Sequence, residues 1–349
     1  MAELKATLQN KMTLKGHKPH YNIKLLSGYG ISIKQKDNQI ILQQTPDPFA
    51  EPNTEEWFVK NMPYEKLVIS GNGYITFDAL KSLAQNNRNV ILTDTSGKPV
   101  CLMNGMMNSL TATKYRMGQY DTFRDESKRK YLEKQIISAK ISSQTKFLKS
   151  HGIDVELSHL ESASSKRYFA EYSKLIPEKY QFHSRNQSFI RNAKNHATDV
   201  INALLNYGYS ILASEISKFV CGVGMDPYYG FMHRSHTGFQ PLVYDLIESF
   251  RWLVDYSVYS LANNSSKHHR IKLKEYANTR DGNIVIEYSL IKRFLELLER
   301  QFSQERKYDF RHGNKTKEGL KSVQEITVAK IMVQNLAEYC TGKQKEFRI

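Results

Sequence analysis

The sequence predicts an α+β protein, a small β-rich domain over residues 1–107 followed by a larger all-α domain over residues 108–349. Three observations predict it. Up to about residue 107, short alternating or β-branched runs are separated by turn residues, the pattern of strands. From about residue 110 onward, apolar residues recur at helical spacing. No apolar stretch approaches the roughly 20 residues needed to span a bilayer, so the apolar residues belong to cores.

In the first part, segments 21–26, 30–34 and 38–43 read as successive strands, with Asp37 and Asn38 as turn residues before the third. A Pro-rich loop follows over 45–53. Segments 66–70 and 90–93 read as buried strands. Between them Thr76 caps a short helix ending near Asn86. A turn at 96–99 leads to a last strand at 100–103. In the second part, segment 128–150 is polar and basic and reads as one or two surface helices presenting Lys130, Lys134, Lys140, Lys146 and Lys149. Further helices are predicted over 158–175, 242–261, 288–301 and 322–340. Segment 199–220 is apolar around most of its circumference, as expected of a central buried helix. Within it Gly208 would allow a neighbour to approach closely, and Gly222 would cap its end.

Composition bounds the function. At 349 residues the chain can bury two cores, and its 40% hydrophobic content is that of a globular protein. An excess of fifteen Lys and Arg over Asp and Glu favours a polyanionic partner, because each neutralised phosphate releases condensed counterions. Cys101, Cys221 and Cys340 lie far apart with no CxxC pair, which suits a reducing cytoplasm and argues against a thiolate zinc site. The N-terminal stretch lacks the apolar core of a signal peptide. A cytoplasmic location without membrane association is expected.

The chemistry-bearing residues concentrate in 202–256. The apolar helix is followed by a Gly/Pro-punctuated loop ending in Gly230, Phe231, Met232 and His233, and then by a helix carrying Asp245 and Glu248. Three residues apart, the two carboxylates project from adjacent positions of one helix face. Alone, such a pair also fits a solvated face, with Glu248 paired to Arg251. His233 adds an imidazole on a loop too apolar for an ordinary surface connection, and His236 is a second imidazole nearby. Two carboxylates and an imidazole suit Mg²⁺ or Mn²⁺; the imidazole taken alone would suit zinc. A metal site in a strongly basic chain points to phosphodiester chemistry on a nucleic acid. Taken alone, Glu161 is an early-helix carboxylate explained by the helix dipole.

Segment 161–169 resembles a helix motif Glu-Gly-x-Ala-Ala-x-x-Tyr-Phe. Segment 202–209, followed by 224–227 and 230–233, resembles Asn-Ala-Leu-Leu-Asn-Tyr-Gly-Tyr, Gly-hydrophobic-Asp-Pro and Gly-Phe-x-His. Segment 242–251 resembles Leu-x-x-Asp-Leu-x-Glu-x-Phe-Arg. In this order these are the motifs of the CRISPR adaptation integrase family, CRISPR-associated protein one, including its transposon relatives the casposases. Ser162, Ser164 and Ser165 depart from the Gly and Ala of the first motif but remain small. The basic segment 185–194 replaces an Arg-x-Arg-Pro-Pro type lead-in.

The resemblance implies a β-sandwich-like N-terminal domain used for dimerisation and a helical catalytic domain. It implies Glu161, His233 and Glu248 as ligands of Mg²⁺ or Mn²⁺, with Asp245 as a further acidic catalytic residue and no assigned role for His236. The implied activity is metal-dependent DNA endonuclease and integrase chemistry. A 3′-hydroxyl would attack a target phosphodiester and insert spacer DNA into a CRISPR array. The implied partners are double-stranded and branched DNA, a second copy of the chain, and the small CRISPR-associated protein two. A casposase would instead integrate a transposon with terminal inverted repeats and need no small partner. A non-catalytic nucleic-acid-binding protein is the reading of a different class. No base-specific helix-turn-helix is legible, so target choice would rest on DNA shape or a partner.

Overall fold

The computed structural model describes residues 23–45, 51–64, 66–86, 88–93, 99–103, 110–158, 161–185, 197, 199–233, 240–266, 269–278, 284–308 and 321–348. The chain divides into two compact units, Met1–Ser109 and Leu110–Ile349.

The first unit is built on strands β1 (Ile23–Lys36), β2 (Gln39–Thr45), β3 (Asn53–Phe58), β4 (Lys66–Ile75), β5 (Asn89–Thr93) and β6 (Pro99–Met103), with helix α1 (Phe77–Gln85) between β4 and β5. Of the two segments expected as separate strands, 21–26 and 30–34, the described residues 23–26 and 30–34 belong to one strand kinked by a bulge. The β1–β4 register shifts between Gly28 and Ile31, and Gly28 and Gly30 both take positive φ there. Asp37 and Asn38 turn the chain from β1 to β2 in the left-handed region, as their side chains allow. Strand β3 falls just after the expected Pro-rich loop. Its alternating half-buried and exposed residues include four polar ones in a row, so its edge position, not its composition, makes it a strand.

All six strands are hydrogen-bonded in one mixed sheet of order β3-β2-β1-β4-β5-β6, with β1–β4 and β4–β5 parallel. This differs from the expected sandwich of two sheets. The layer against the core face is α1, capped as expected by Thr76, whose Oγ1 accepts from the Ala79 N–H at 3.3 Å. Ala79 and Leu83 of α1 pack with Leu26, Ile31, Ile33, Ile40, Leu42 and Leu67 of the strands. A helix thus supplies the apolar cover that a second sheet would otherwise provide.

The second unit contains α2 (Leu110–Arg124), α3 (Glu126–Ser150), α4 (Glu161–Lys174), α5 (Val200–Val223), α6 (Pro241–Ile247), α7 (Arg251–Ala262), α8 (Tyr288–Ser303) and α9 (Glu325–Cys340). It is not all-α. Strands β7 (Tyr276–Asn278) and β8 (Ile284–Ile286) pair antiparallel, and so do β9 (Glu305–Tyr308) and β10 (Lys321–Gln324). These strands are only three or four residues long, too short for periodicity to reveal them.

Helix α5 is the central helix the sequence predicts, buried along most of its length and started by Asp199, whose carboxylate accepts from the Asn202 N–H at 2.8 Å. Its cap is Gly224, at φ +98°, rather than Gly222: the Gly224 and Met225 N–H groups close onto the carbonyls of Val220 and Cys221. Gly208 does admit close neighbours, since a Cβ there would lie 2.4 Å from Val254 and 2.8 Å from Phe294. The predicted single helix over 242–261 is interrupted by a 3₁₀ turn at Glu248–Phe250. Such a mid-helix tightening often marks a functional position, and here it starts at Glu248. No helix among the described residues is long and apolar enough to cross a membrane.

Candidate active site

The loop carrying His233 is fixed from two sides. On α2, the fully buried Gln119 donates to the carbonyls of Asp226 and Tyr229 at 2.8 and 2.7 Å and accepts from the Asp226 N–H at 2.8 Å. Tyr120 donates to the Asp226 carboxylate at 2.7 Å. From α6, Asp245 receives the backbone N–H groups of Phe231, Met232 and His233 at 2.5, 3.1 and 3.0 Å. Gly230 makes this possible: a Cβ there would lie 2.7 Å from the Asp245 Oδ2 and from Pro241. The loop backbone therefore wraps a carboxylate that is wholly removed from solvent.

Asp245 also takes the His233 Nδ1 at 2.6 Å. The ring proton is thereby held on Nδ1, and Nε2 is the nitrogen that would meet a metal. The hydrogen bond to Asp245 raises the His233 pKa above its ordinary value; burial opposes the shift, and the charges of Asp245, Glu248 and Glu161 reinforce it. The three predicted ligands come from the first turn of α4, the loop after α5, and the 3₁₀ turn between α6 and α7.

Glu248 is buried. One carboxylate oxygen meets Arg251 NH2 at 2.7 Å, so the expected Arg251 pairing exists. The other, Oε2, lies 2.7 Å from Lys140 Nζ. Among the described residues no other group donates to Oε2. The contact is ionic. Lys140 Nζ is also 3.1 Å from Glu161 Oε1. Burial pushes the Glu248 pKa up, but Arg251 and Lys140 outweigh it and hold the carboxyl below its usual range.

Lys140 is the residue that sequence reasoning misplaced. Assigned to a solvated face, it is 6% exposed and bridges two predicted metal ligands. A signal was present: Leu132, Ile136, Lys140 and Gln144 recur every fourth position and lead to Phe147 and Leu148, so Lys140 stands on the buried stripe of α3. Gln119 and Asp255 were also missed. Asp255 on α7 is fully buried, and its oxygens accept from the hydroxyls of Tyr168 on α4 at 2.7 Å and Tyr209 on α5 at 2.5 Å. Tyr172 donates to the Asp255 carbonyl at 2.8 Å. These bonds set α4, and with it Glu161, against α5 and α7. Arg185, at the start of the basic segment, donates to Asn202 and Asn206 on α5 at 2.6 and 2.8 Å. His236 and residues 186–196 lie outside the described residues.

Among the described residues, no three of His, Cys, Asp and Glu are drawn together into a finished metal site. The ammonium of Lys140 stands between Glu161 and Glu248. The donor set nevertheless fits a hard divalent cation, with two carboxylates, an imidazole locked in one tautomer by a carboxylate, and a buried carboxylate oxygen met only by an ammonium.

Residues 25–155 and 154–300 match the family model described as CRISPR associated protein Cas1. A relative from Methanobrevibacter ruminantium, CRISPR-associated protein Cas1 3, is 30% identical over 275 residues, 68% of this chain and 77% of that protein. CRISPR-associated endonuclease Cas1 1 of Archaeoglobus fulgidus is 30% identical over 266 residues, 65% of this chain and 74% of that protein. Among solved structures, a casposase bound to integration product matches with a TM-score of 0.72 at 24% identity, covering 93% of this chain and 92% of the casposase. The Cas6-RT-Cas1–Cas2 complex matches with a TM-score of 0.65 at 17% identity, over 95% of this chain and 36% of that one.

Proposed function

Because the chain belongs to the CRISPR-associated protein Cas1 family, we propose that it is a divalent-metal-dependent DNA integrase and endonuclease. It joins a 3′-hydroxyl of incoming DNA to a target phosphodiester, inserting spacers into a CRISPR array. The observation that carries this reading is the convergence of Glu161 and Glu248, from two separate segments, on one buried cation, beside a His233 whose ring is fixed by Asp245. A solvated helix face would not bury Glu248 or place a lysine between two carboxylates.

Glu161, His233 and Glu248 would hold Mg²⁺ or Mn²⁺. Bound there, the ion would supply Lewis-acid stabilisation of charge on the scissile phosphate. The chain's own residues do the rest. Asp245 holds the proton on His233 Nδ1 and ties down the loop, so it is a positioning residue that acts through His233. Arg251 fixes one oxygen of Glu248 and keeps the carboxyl ionised. The Asp255–tyrosine contacts hold α4 in place.

DNA is the polyanion that fits the excess of fifteen basic residues, and the related casposase is described as bound to integration product. The first unit would serve dimerisation. Leu25, Tyr29, Tyr74, Leu92 and Val100 of its sheet are all large, apolar and at least 40% exposed, more than a solvated sheet needs. A small partner of the Cas2 kind would join two such dimers, as the Cas1–Cas2 complex suggests.

The likeness to a casposase favours keeping a second reading, integration of a transposon with terminal inverted repeats. One experiment tests both. A labelled short duplex is offered to supercoiled plasmid bearing a leader and repeat, with Mn²⁺ or Mg²⁺, for wild type and His233→Ala, with and without a Cas2-type protein. Joining at the repeat by wild type alone supports the first reading. Joining only of donors with terminal inverted repeats supports the second. Equal joining by His233→Ala removes the proposed site.

A further inference from the structure

The charges around Glu248 are more numerous than a metal site needs. Two cations, Lys140 and Arg251, contact its carboxylate, and Lys140 also contacts Glu161. Arg251 is packed over the Tyr209 ring, with its Cζ 4.6 Å from the centroid. Lys140 has a flexible stem and a compact ammonium, and Glu161, its weaker partner, is 40% exposed. An ion bound by Glu161, His233 and Glu248 would need the oxygens that Lys140 now holds.

Resting on the metal-site reading above, we infer that Lys140 is an exchangeable internal cation. Its ammonium neutralises Glu161 and Glu248 while no metal is bound, is displaced when a divalent ion enters, and then pairs with a phosphate of the DNA. Two features support exchange over a permanent ion pair. Lys140 reaches Glu161 by a hydrogen bond of 3.1 Å to a carboxylate that is 40% exposed, so one side of the bridge is open to an incoming ion. The charge count also favours it. Asp245, Glu161 and Glu248 supply three negative charges against two from Lys140 and Arg251, so an added divalent ion leaves the cluster positive, and a phosphodiester restores balance. The exchange therefore makes metal and DNA load together: without DNA, the lysine keeps metal affinity low.

The test measures Mn²⁺ binding to the full chain, by the paramagnetic resonance of free Mn²⁺, with and without a short DNA duplex. Wild type, His233→Ala, Lys140→Met, Lys140→Gln and Lys140→Arg are compared. Lys140→Met is expected to bind Mn²⁺ about tenfold or more tightly than wild type without DNA. It should gain less from the duplex than wild type does, while Lys140→Arg, which keeps the charge, should remain weak. In chelator, Lys140→Met should melt at lower temperature than wild type, and Mn²⁺ should restore it. If Lys140→Met does not fold, Lys140→Gln carries the same comparison. Wild-type binding that depends on His233 but is unchanged or weakened on loss of the Lys140 charge overturns the exchange and leaves the metal site standing. Binding indifferent to His233→Ala overturns the metal site itself.

Discussion

Glu248 and Asp255 are two buried carboxylates seven residues apart, at the start of the 3₁₀ turn and in the middle of α7, and their pKa values move in opposite directions. Both suffer burial, which disfavours a charged carboxylate. At Glu248, Arg251 and Lys140 overcome it, and the group is held below its usual range. At Asp255, the hydroxyls of Tyr209 and Tyr168 donate to the carboxylate, with the charges of Arg251 and Arg185 farther off; burial wins, and the pKa rises from 3.8 to about 6. The difference separates chemistry from scaffolding. A carboxylate kept ionised by neighbouring cations can bind a metal, whereas one held between phenols braces helices. Helix α4 joins the two, with Glu161 at one cluster and Tyr168 two turns on at the other.

The strongest way to break this contrast is to mutate the first cluster. Glu161→Gln, His233→Ala and Glu248→Gln are each expected to lower strand transfer about a thousandfold or more, the loss that follows removal of a group stabilising transition-state charge. DNA binding, measured by filter retention, should stay within about threefold, because none of these substitutions removes a lysine or arginine. Equal losses in binding and joining would make the cluster structural and erase its difference from Asp255.

The pH dependence of stability sharpens the comparison next. Asp255 holds a proton more tightly in the folded chain than in the unfolded one. Between about pH 4 and about pH 6 the folded state therefore binds more protons, and stability falls as pH rises through that window. Two units correspond to ~3 kcal/mol. Asp255→Asn cannot titrate, so wild type should lose ~3 kcal/mol relative to it between about pH 4 and about pH 7, read from urea midpoints. Glu248, with its pKa held down, has the opposite sign: its contribution is present at neutral pH and is lost as pH falls through its folded pKa. The difference curves of Asp255→Asn and Glu248→Gln should thus slope in opposite senses. Parallel curves would mean that the two carboxylates share one environment.

The same contrast explains what could be read from the sequence. Periodicity located α5, α8 and α9, and Thr76, Asp37, Asn38 and Gly208 acted as their side chains dictate. The ligand types at Glu161, His233 and Glu248 were legible because motifs carry them, and in the structure Lys140 joins Glu161 to Glu248 while Asp245 holds His233. Lys140 was not, because a lysine on a Lys-rich helix reads as surface unless its place on the apolar stripe is weighed above its charge. Asp255 was hidden in a segment whose partners, Tyr168 and Tyr209, lie 87 and 46 residues away. Short strands such as β3 and β7 depend on neighbours that local pattern does not contain.

A smaller effect is expected where α4 meets Asp255. Tyr168→Phe removes one donor to the carboxylate and leaves the ring in place, for a loss of about 1.5 kcal/mol at neutral pH. It should also move the Asp255 titration higher, because the Tyr168 hydroxyl lowers that pKa. Strand transfer at a temperature where the variant is folded should change little, since Tyr172 still ties α4 to α7. A thousandfold loss there would place the tyrosine in the chemistry instead.

The smallest effect belongs to Ser164, which lies on α4 between the two clusters. It is one turn after Glu161 and one before Tyr168, on the same buried face, and its hydroxyl has no hydrogen-bond partner among the described residues. A buried hydroxyl without a partner costs free energy to desolvate, so removing it should not weaken the fold. Ser164→Ala is expected to change stability by less than about 0.5 kcal/mol and strand transfer by less than about twofold. That outcome would say that this position requires only a small side chain, so that α4 can lie close to its neighbours. A tenfold loss of joining with stability intact would say instead that the hydroxyl meets the DNA, and the chemical cluster would then extend along α4 towards Asp255, past the boundary drawn between Glu248 and the tyrosines.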